Sequence, residues 1–102
     1  MVRIVWAEPA LQDLEQIADY IALDNPLAAK RLVQRTFKEV DMLRTFPELG
    51  ATPHDLPDSR YRHLVVNPLR IFYRVSGNTV FIVYVMRAER LLRKDDLESI
   101  DS

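Results

Sequence analysis

The stretch YRHLVVNPLRIFYRVSGNTVFIVYVM, residues 61–86, decides the architecture. It holds three runs rich in β-branched and aromatic residues, Tyr61 to Val66, Leu69 to Val75 and Val80 to Met86, which have the composition of strands. The separators are Asn67-Pro68 and Ser76-Gly77-Asn78, turn sequences so short that consecutive strands must run antiparallel. A three-stranded meander follows. Alternation divides the middle strand: Ile71, Tyr73 and Val75 share one side, and Arg70, Phe72 and Arg74 share the other. The first side is apolar enough to receive a layer of helices.

Upstream of the meander lies material for that layer. Val2 to Trp6 reads as a short strand and ends at Ala7-Glu8-Pro9, where proline suits the first turn of a helix. From near Glu8, Leu11, Leu14, Ile17, Ala18 and Ile21 recur at spacings of three and four, while Gln12, Asp13, Glu15, Gln16 and Asp19 fill the opposite, acidic side. Asp24-Asn25-Pro26 breaks the pattern, because the residue before proline is pushed out of helical geometry and Asn25 can cap a second helix. That helix carries Ala28, Leu32, Val33, Phe37, Val40, Leu43 and Phe46 inward and Lys30, Arg31, Arg35, Lys38 and Arg44 largely outward, stopping before Pro47. Residues 47–59, with prolines at 47, 53 and 57 and a glycine at 50, read as a loop between helix and sheet with no chemistry of its own. The fold class is α+β: an N-terminal strand, an antiparallel helical hairpin packed on one face of the sheet, then the meander, with the first strand joining the sheet as an edge.

At 102 residues and 48 % hydrophobic, the chain fits one domain, residues 1–102, ending in a short charged tail from about residue 88. There is no cysteine, which removes disulfides and thiolate chemistry and fits a reducing compartment. No apolar run is long enough to span a membrane, and the amino terminus lacks the marks of a signal peptide. The net charge of -1 conceals a segregation. Residues 60–94 hold eight of the 14 basic residues and one acid, Glu89, whereas residues 1–59 hold six basic and ten acidic side chains. Such sorting fits a basic surface suited to nucleic acid or an acidic protein, and fits equally a sheet kept soluble by arginine.

Several short segments, in their order, resemble ParE-type toxins of the RelE/ParE superfamily. They are Trp6-Ala7-Glu8-Pro9-Ala10-Leu11-Gln12-Asp13-Leu14, Tyr20-Ile21-Ala22, Asn25-Pro26-Leu27-Ala28-Ala29 and Phe46-Pro47-Glu48-Leu49-Gly50, continued by Tyr61-Arg62-His63-Leu64, Leu69 to Val75 and Val80 to Arg87. The resemblance implies a RelE/ParE-like fold and the toxin half of a type II toxin-antitoxin system in the cytoplasm. A ParD-like antitoxin is implied as partner, with operator DNA bound through the antitoxin and an acidic, partly helical segment docked between hairpin and sheet. Two activities go with the superfamily, inhibition of DNA gyrase by binding and ribosome-dependent messenger RNA cleavage, and fold alone does not choose between them.

The residues a nuclease needs make the choice. Taking the proton of a 2′-hydroxyl requires a base, and arginine stays protonated at any working pH. In RelE-like nucleases the resemblance places lysines before and in the second strand and a tyrosine or histidine after the last strand, around an arginine on the middle strand. Only that arginine is matched here, by Arg70; residues 54–64 have no lysine, and residues 87–102 have neither tyrosine nor histidine, with Lys94 standing roughly where one is expected. A nuclease would therefore have to assemble from Arg70, His63, Tyr61, Arg87 and Lys94. His54 and His63 are the conventional proton carriers, neither with a partner visible in the sequence. The acids of the first helix space as a solvated face rather than a metal site, and Trp6, Phe37, Tyr73 and Tyr84 fall in core patterns. The reading is a non-enzymatic toxin without metal or cofactor. Its candidate target-binding groups are Arg60, Arg62, Arg70, Arg74, Arg87, Arg90 and Arg93, with the tail after Arg87 favoured.

Overall fold

The computed structural model describes residues 1–88 and Leu97. It contains β1 (Arg3–Trp6), α1 (Glu8–Ala22), α2 (Pro26–Asp41), a 3-10 turn (Met42–Arg44), β2 (Arg62–Val66), β3 (Leu69–Ser76) and β4 (Thr79–Arg87). The four strands form one sheet in the order β1-β4-β3-β2. The meander is antiparallel, and β1 lies parallel to β4 at the sheet edge. The expected order of elements and α+β architecture are therefore those of the molecule. The charged tail lies outside the described residues except for Leu97.

Local chemistry accounts for the boundaries. Pro9 stands in the first turn of α1, where its missing N–H removes a donor that has no helical partner anyway. The Asn25 side chain accepts from Ala28 N at 3.0 Å and starts α2, followed by Pro26. Gly77, with φ 58°, supplies the left-handed residue of the β3–β4 hairpin. Asn67 and Pro68 make the β2–β3 turn through a cis peptide bond.

Helices and sheet enclose a core of Ala10, Leu14, Leu32, Val40 and Leu43 against Leu64, Val66, Leu69, Ile71, Tyr73, Val80, Ile82 and Val85. Burial of this kind is the main favourable term in folding. The other side of the sheet carries a second cluster, Tyr61, Phe72, Val83, Tyr84, Met86 and Leu97. A bulge feeds it: Phe72 pairs with Tyr84 but Tyr73 pairs with Ile82, so Val83 is the extra residue and both Val83 and Tyr84 join the outer cluster.

Some side chains expected inside are not. Leu11, Phe37 and Phe46 are exposed, as is Val75 near the end of β3. The buried side of α1 runs through Ala10, Leu14 and Ala18, one position away from Leu11; the small residues let the helix lie close to the sheet. On α2 the inward row is Ala29, Leu32, Thr36 and Val40, and the buried Thr36 hydroxyl is satisfied by donating to the Leu32 carbonyl at 2.8 Å. Phe37 sits on the flank of α2, its ring 5.1 Å from that of the half-buried Trp6. Asp13, expected among the solvated acids, instead accepts from Val85 N at 3.3 Å. The β1–β4 pairing ends at Trp6 and Ile82, so a carboxylate serves the β4 backbone beyond that point.

Candidate functional site

The outer face of the sheet holds Arg70, His63 and Tyr61, three of the residues singled out by sequence. At its centre is Arg70 on the interior strand β3, only 4 % exposed. Asp55, from the proline-rich loop, meets it in a two-pronged pair: Nη1 to Oδ2 at 2.9 Å and Nη2 to Oδ1 at 2.8 Å, with both side chains 5 % exposed. The third edge of the guanidinium, Nε–H, donates to His63 Nδ1 at 3.1 Å across the β2–β3 pairing. The Phe72 ring lies 4.9 Å from the guanidinium carbon. A fork–fork pair with a carboxylate is among the strongest side-chain hydrogen-bonding arrangements, and it neutralises a charge that burial would otherwise make costly.

This geometry fixes His63. A guanidinium can only donate, so Nδ1 must carry the lone pair and the ring proton sits on Nε2. Protonation of Nδ1 would break the bond and place two cations side by side. Burial, and secondarily the Arg70 charge, accordingly hold the His63 pKa below its ordinary value of 6.5, with Asp55 opposing. His63, Phe72 and Tyr84 form a row across three strands, with neighbouring ring centroids 5.7 and 5.9 Å apart.

The loop read as having no chemistry is stitched to the sheet, beside the β2 edge as well as at Arg70. Tyr73 reaches through to it: its hydroxyl accepts from Gly50 N at 2.8 Å and donates to the Pro47 carbonyl at 2.9 Å, and burial pushes its pKa up. Arg62 Nη1 donates to the Gly50 carbonyl at 2.8 Å, and Ala51 exchanges backbone hydrogen bonds with His63. A Cβ on Gly50 would fall 2.7 Å from both the His63 carbonyl and the Tyr73 ring, which is why glycine stands there.

The remaining candidates are dispersed. Arg60 lies over the ring of Tyr61 and Arg74 over that of Phe81, at 5.3 and 4.4 Å to the centroids. Arg87 pairs in register with the core residue Leu69, so it faces the helices, beside Gln16 and Tyr20 of α1 and on the opposite side of the sheet from Arg70. Of the residues a nuclease would have to assemble, Arg70 and His63 touch, Tyr61 shares their face, and Arg87 does not. Arg90, Arg93 and Lys94 lie outside the described residues. His54 is exposed in the loop. Among the described residues no group of three His, Cys, Asp or Glu side chains could hold a metal ion, and no helix is long and apolar enough to cross a membrane.

Sequence reasoning missed Asp55, fifteen positions before its partner in a segment without periodicity. The available signal was thin: Asp55 is the sole acid between Glu48 and Asp58, just ahead of a strand that bears arginine. Also unforeseen was the hydrophobic tip of the helical hairpin, where Tyr20, Leu23 and Leu27 are all exposed. It adjoins a cleft between α1 and the end of β4 lined by Gln16, Ile17, Tyr20 and Arg87.

Comparisons with known proteins agree with one another. The family described as ParE toxin of type II toxin-antitoxin system, parDE, matches residues 4–92. Toxin RelE2 of Caulobacter vibrioides is 39 % identical over 92 residues, covering 89 % of this chain and all of that protein. A chain from the solved chromosomal ParDE TA system of P. aeruginosa superimposes with a TM-score of 0.74 at 26 % identity, covering 87 % of this chain and 98 % of that one.

Proposed function

The chain belongs to the ParE toxin family of type II toxin-antitoxin systems, and from that membership we propose that it inhibits DNA gyrase in the cytoplasm by binding and stabilising the cleaved-DNA complex. The toxin itself makes and breaks no bond. The observation that carries this reading is the clamp on Arg70. The one arginine matched to the nuclease pattern has all three edges engaged by Asp55 and His63, so a phosphate could be gripped only by opening a buried ion pair. The neighbouring histidine has its free lone pair committed to the same guanidinium, which leaves it poorly placed to accept a substrate proton.

Neutralisation is by a cognate antitoxin, proposed to be ParD-like, with operator DNA bound through the antitoxin. Its docking segment is amphipathic and lies in the cleft between α1 and β4, covering Ile17, Tyr20 and Leu23. The acidic, partly helical segment expected from the sequence would meet Asp13 and Asp24 as well as Arg87 along the walls of this cleft.

Purified gyrase in a supercoiling assay, with cleaved plasmid trapped and quantified, tests the reading beside ribosome-bound messenger RNA exposed to the same preparation. Loss of supercoiling with accumulated cleaved DNA and intact RNA is expected. The name of the Caulobacter relative, Toxin RelE2, keeps a second reading in view: ribosome-dependent RNA cleavage, with His63 beside Arg70 as its nucleus. Cleaved RNA with unaffected gyrase would establish that reading in place of the first. Normal growth on expression without antitoxin would instead identify an inactive member that only binds its antitoxin.

A further inference from the structure

The outward face of α2 carries a row of four cations, and the sheet chemistry makes no use of it. Lys30, Arg31, Arg35 and Lys38 are all exposed. They surround the direction opposite the buried row Ala29, Leu32, Thr36 and Val40, so they form one band along the helix. Lys30 and Lys38 are eight residues apart, about 12 Å along the axis.

An ordinary solvated helix face mixes signs and gains from opposite charges three or four positions apart. This band does the reverse. Arg31 and Arg35 are like-charged neighbours at four positions, and Arg35 and Lys38 at three. The acid one turn beyond Lys38, Asp41, is taken by Arg44 at 2.6 Å, and Glu39, one turn beyond Arg35, lies half-buried on the flank. Arg35 donates to the neutral carbonyl of Asn67, which leaves its charge uncompensated. Among the described residues Lys30, Arg31 and Lys38 have no ion-pair partner. Helix α1 has the opposite character, with Glu8, Glu15 and Asp19 exposed and no basic residue. The hairpin thus displays its two signs on separate helices.

We propose that this face of α2 is a binding surface for the phosphate backbone of duplex DNA. A rigid row of cations suits an array of fixed negative charges, and duplex DNA offers one about every 1.7 Å of its axis. Large apolar side chains are missing from the middle of the band, where a protein partner would need an anchor: Leu27 lies at its N-terminal end, and Phe37 points to the flank at Trp6. Aromatic rings on which unpaired bases would stack are likewise missing from the band, which sets single strands aside. Contact is to backbone and carries no sequence preference. The choice of DNA over an RNA duplex rests on the proposed gyrase reading, in which the toxin acts beside DNA; the charge row itself does not.

The test measures fluorescence anisotropy of a short random-sequence DNA duplex titrated with the full chain across a salt series, with no gyrase present. Each phosphate neutralised contributes about −0.9 to the slope of log K against log salt, so a slope of about −3 to −4 is expected. A variant with Lys30→Gln, Arg31→Gln, Arg35→Gln and Lys38→Gln loses affinity about tenfold or more, and most of that slope. Since Arg35 also holds the Asn67 carbonyl, a triple variant that keeps Arg35 is run beside it and loses in proportion, with thermal unfolding confirming that both are folded. Three results overturn the proposal: unchanged duplex binding in these variants, loss confined to an Arg90→Gln, Arg93→Gln, Lys94→Gln variant, or displacement of the duplex by polyglutamate or single-stranded DNA at equal charge. Gyrase inhibition measured separately on the same variants keeps failure of this surface distinct from failure of the target assignment.

Discussion

On β3, the Arg70 guanidinium turns every edge toward Asp55 and His63 above the ring of Phe72, whereas on α2, one layer away, Lys30, Arg31 and Lys38 are exposed and have no ion-pair partner among the described residues. Both groups are cations in ordered secondary structure. The difference is burial: a charge removed from water must be paired, while a charge left in water has little to gain from pairing. Arginine abundance in the carboxy-terminal half therefore reports structural fastening of the loop as much as an interaction surface. Among the described residues, a row of accessible cations lies instead on α2.

Four measurements break or sharpen this contrast. The largest effect is expected for Asp55→Ala, which strands a buried guanidinium: urea unfolding should show a loss of about 3–5 kcal/mol. Next comes Tyr73→Phe. It removes the partner of the Gly50 N–H and of the Pro47 carbonyl, and should cost about 1–3 kcal/mol in the same assay, with faster proteolysis of residues 47–60. A smaller effect comes from acid. The folded His63 pKa lies below the unfolded one, so the unfolded state binds the proton first and the contribution of neutral His63 is complete above about pH 6.5 and declines as pH falls through that value. The melting temperature should fall between pH 7.5 and 5.5, and the part due to this residue should vanish in His63→Gln. The smallest is Lys38→Ala on α2, expected within about 0.5 kcal/mol of the parent because that side chain is exposed and has no ion-pair partner among the described residues. Equal losses at Asp55 and Lys38 would erase the distinction drawn between the two regions.

Periodic features were legible in the sequence. The alternation of Arg70, Phe72 and Arg74 against Ile71 and Tyr73 gave both faces of β3, and Asn25-Pro26 gave the break between the helices, because these signals repeat or act on immediate neighbours. Errors came where neighbouring positions compete for one face. Leu11 lost its place to Ala10, since close approach of α1 to the sheet favours the small side chain. Asp13 left the acidic face because β4 outruns β1 and needs an acceptor. The candidate site was half legible: Arg70 and His63 were named, but Asp55, which changes what both can do, contacts them through a loop without periodicity. No local pattern announces a partner fifteen residues away.

The most direct test replaces the buried pair as a unit, with Arg70→Met and Asp55→Leu in one chain. Exchange of a buried ion pair for apolar side chains of similar volume is often neutral or stabilising, so the variant should remain folded. A folded double variant that still inhibits gyrase and arrests growth is the predicted result, because the pair fastens the loop and does no chemistry. A double variant with parental stability and no toxicity would contradict the account and make Arg70 a working group of the toxin.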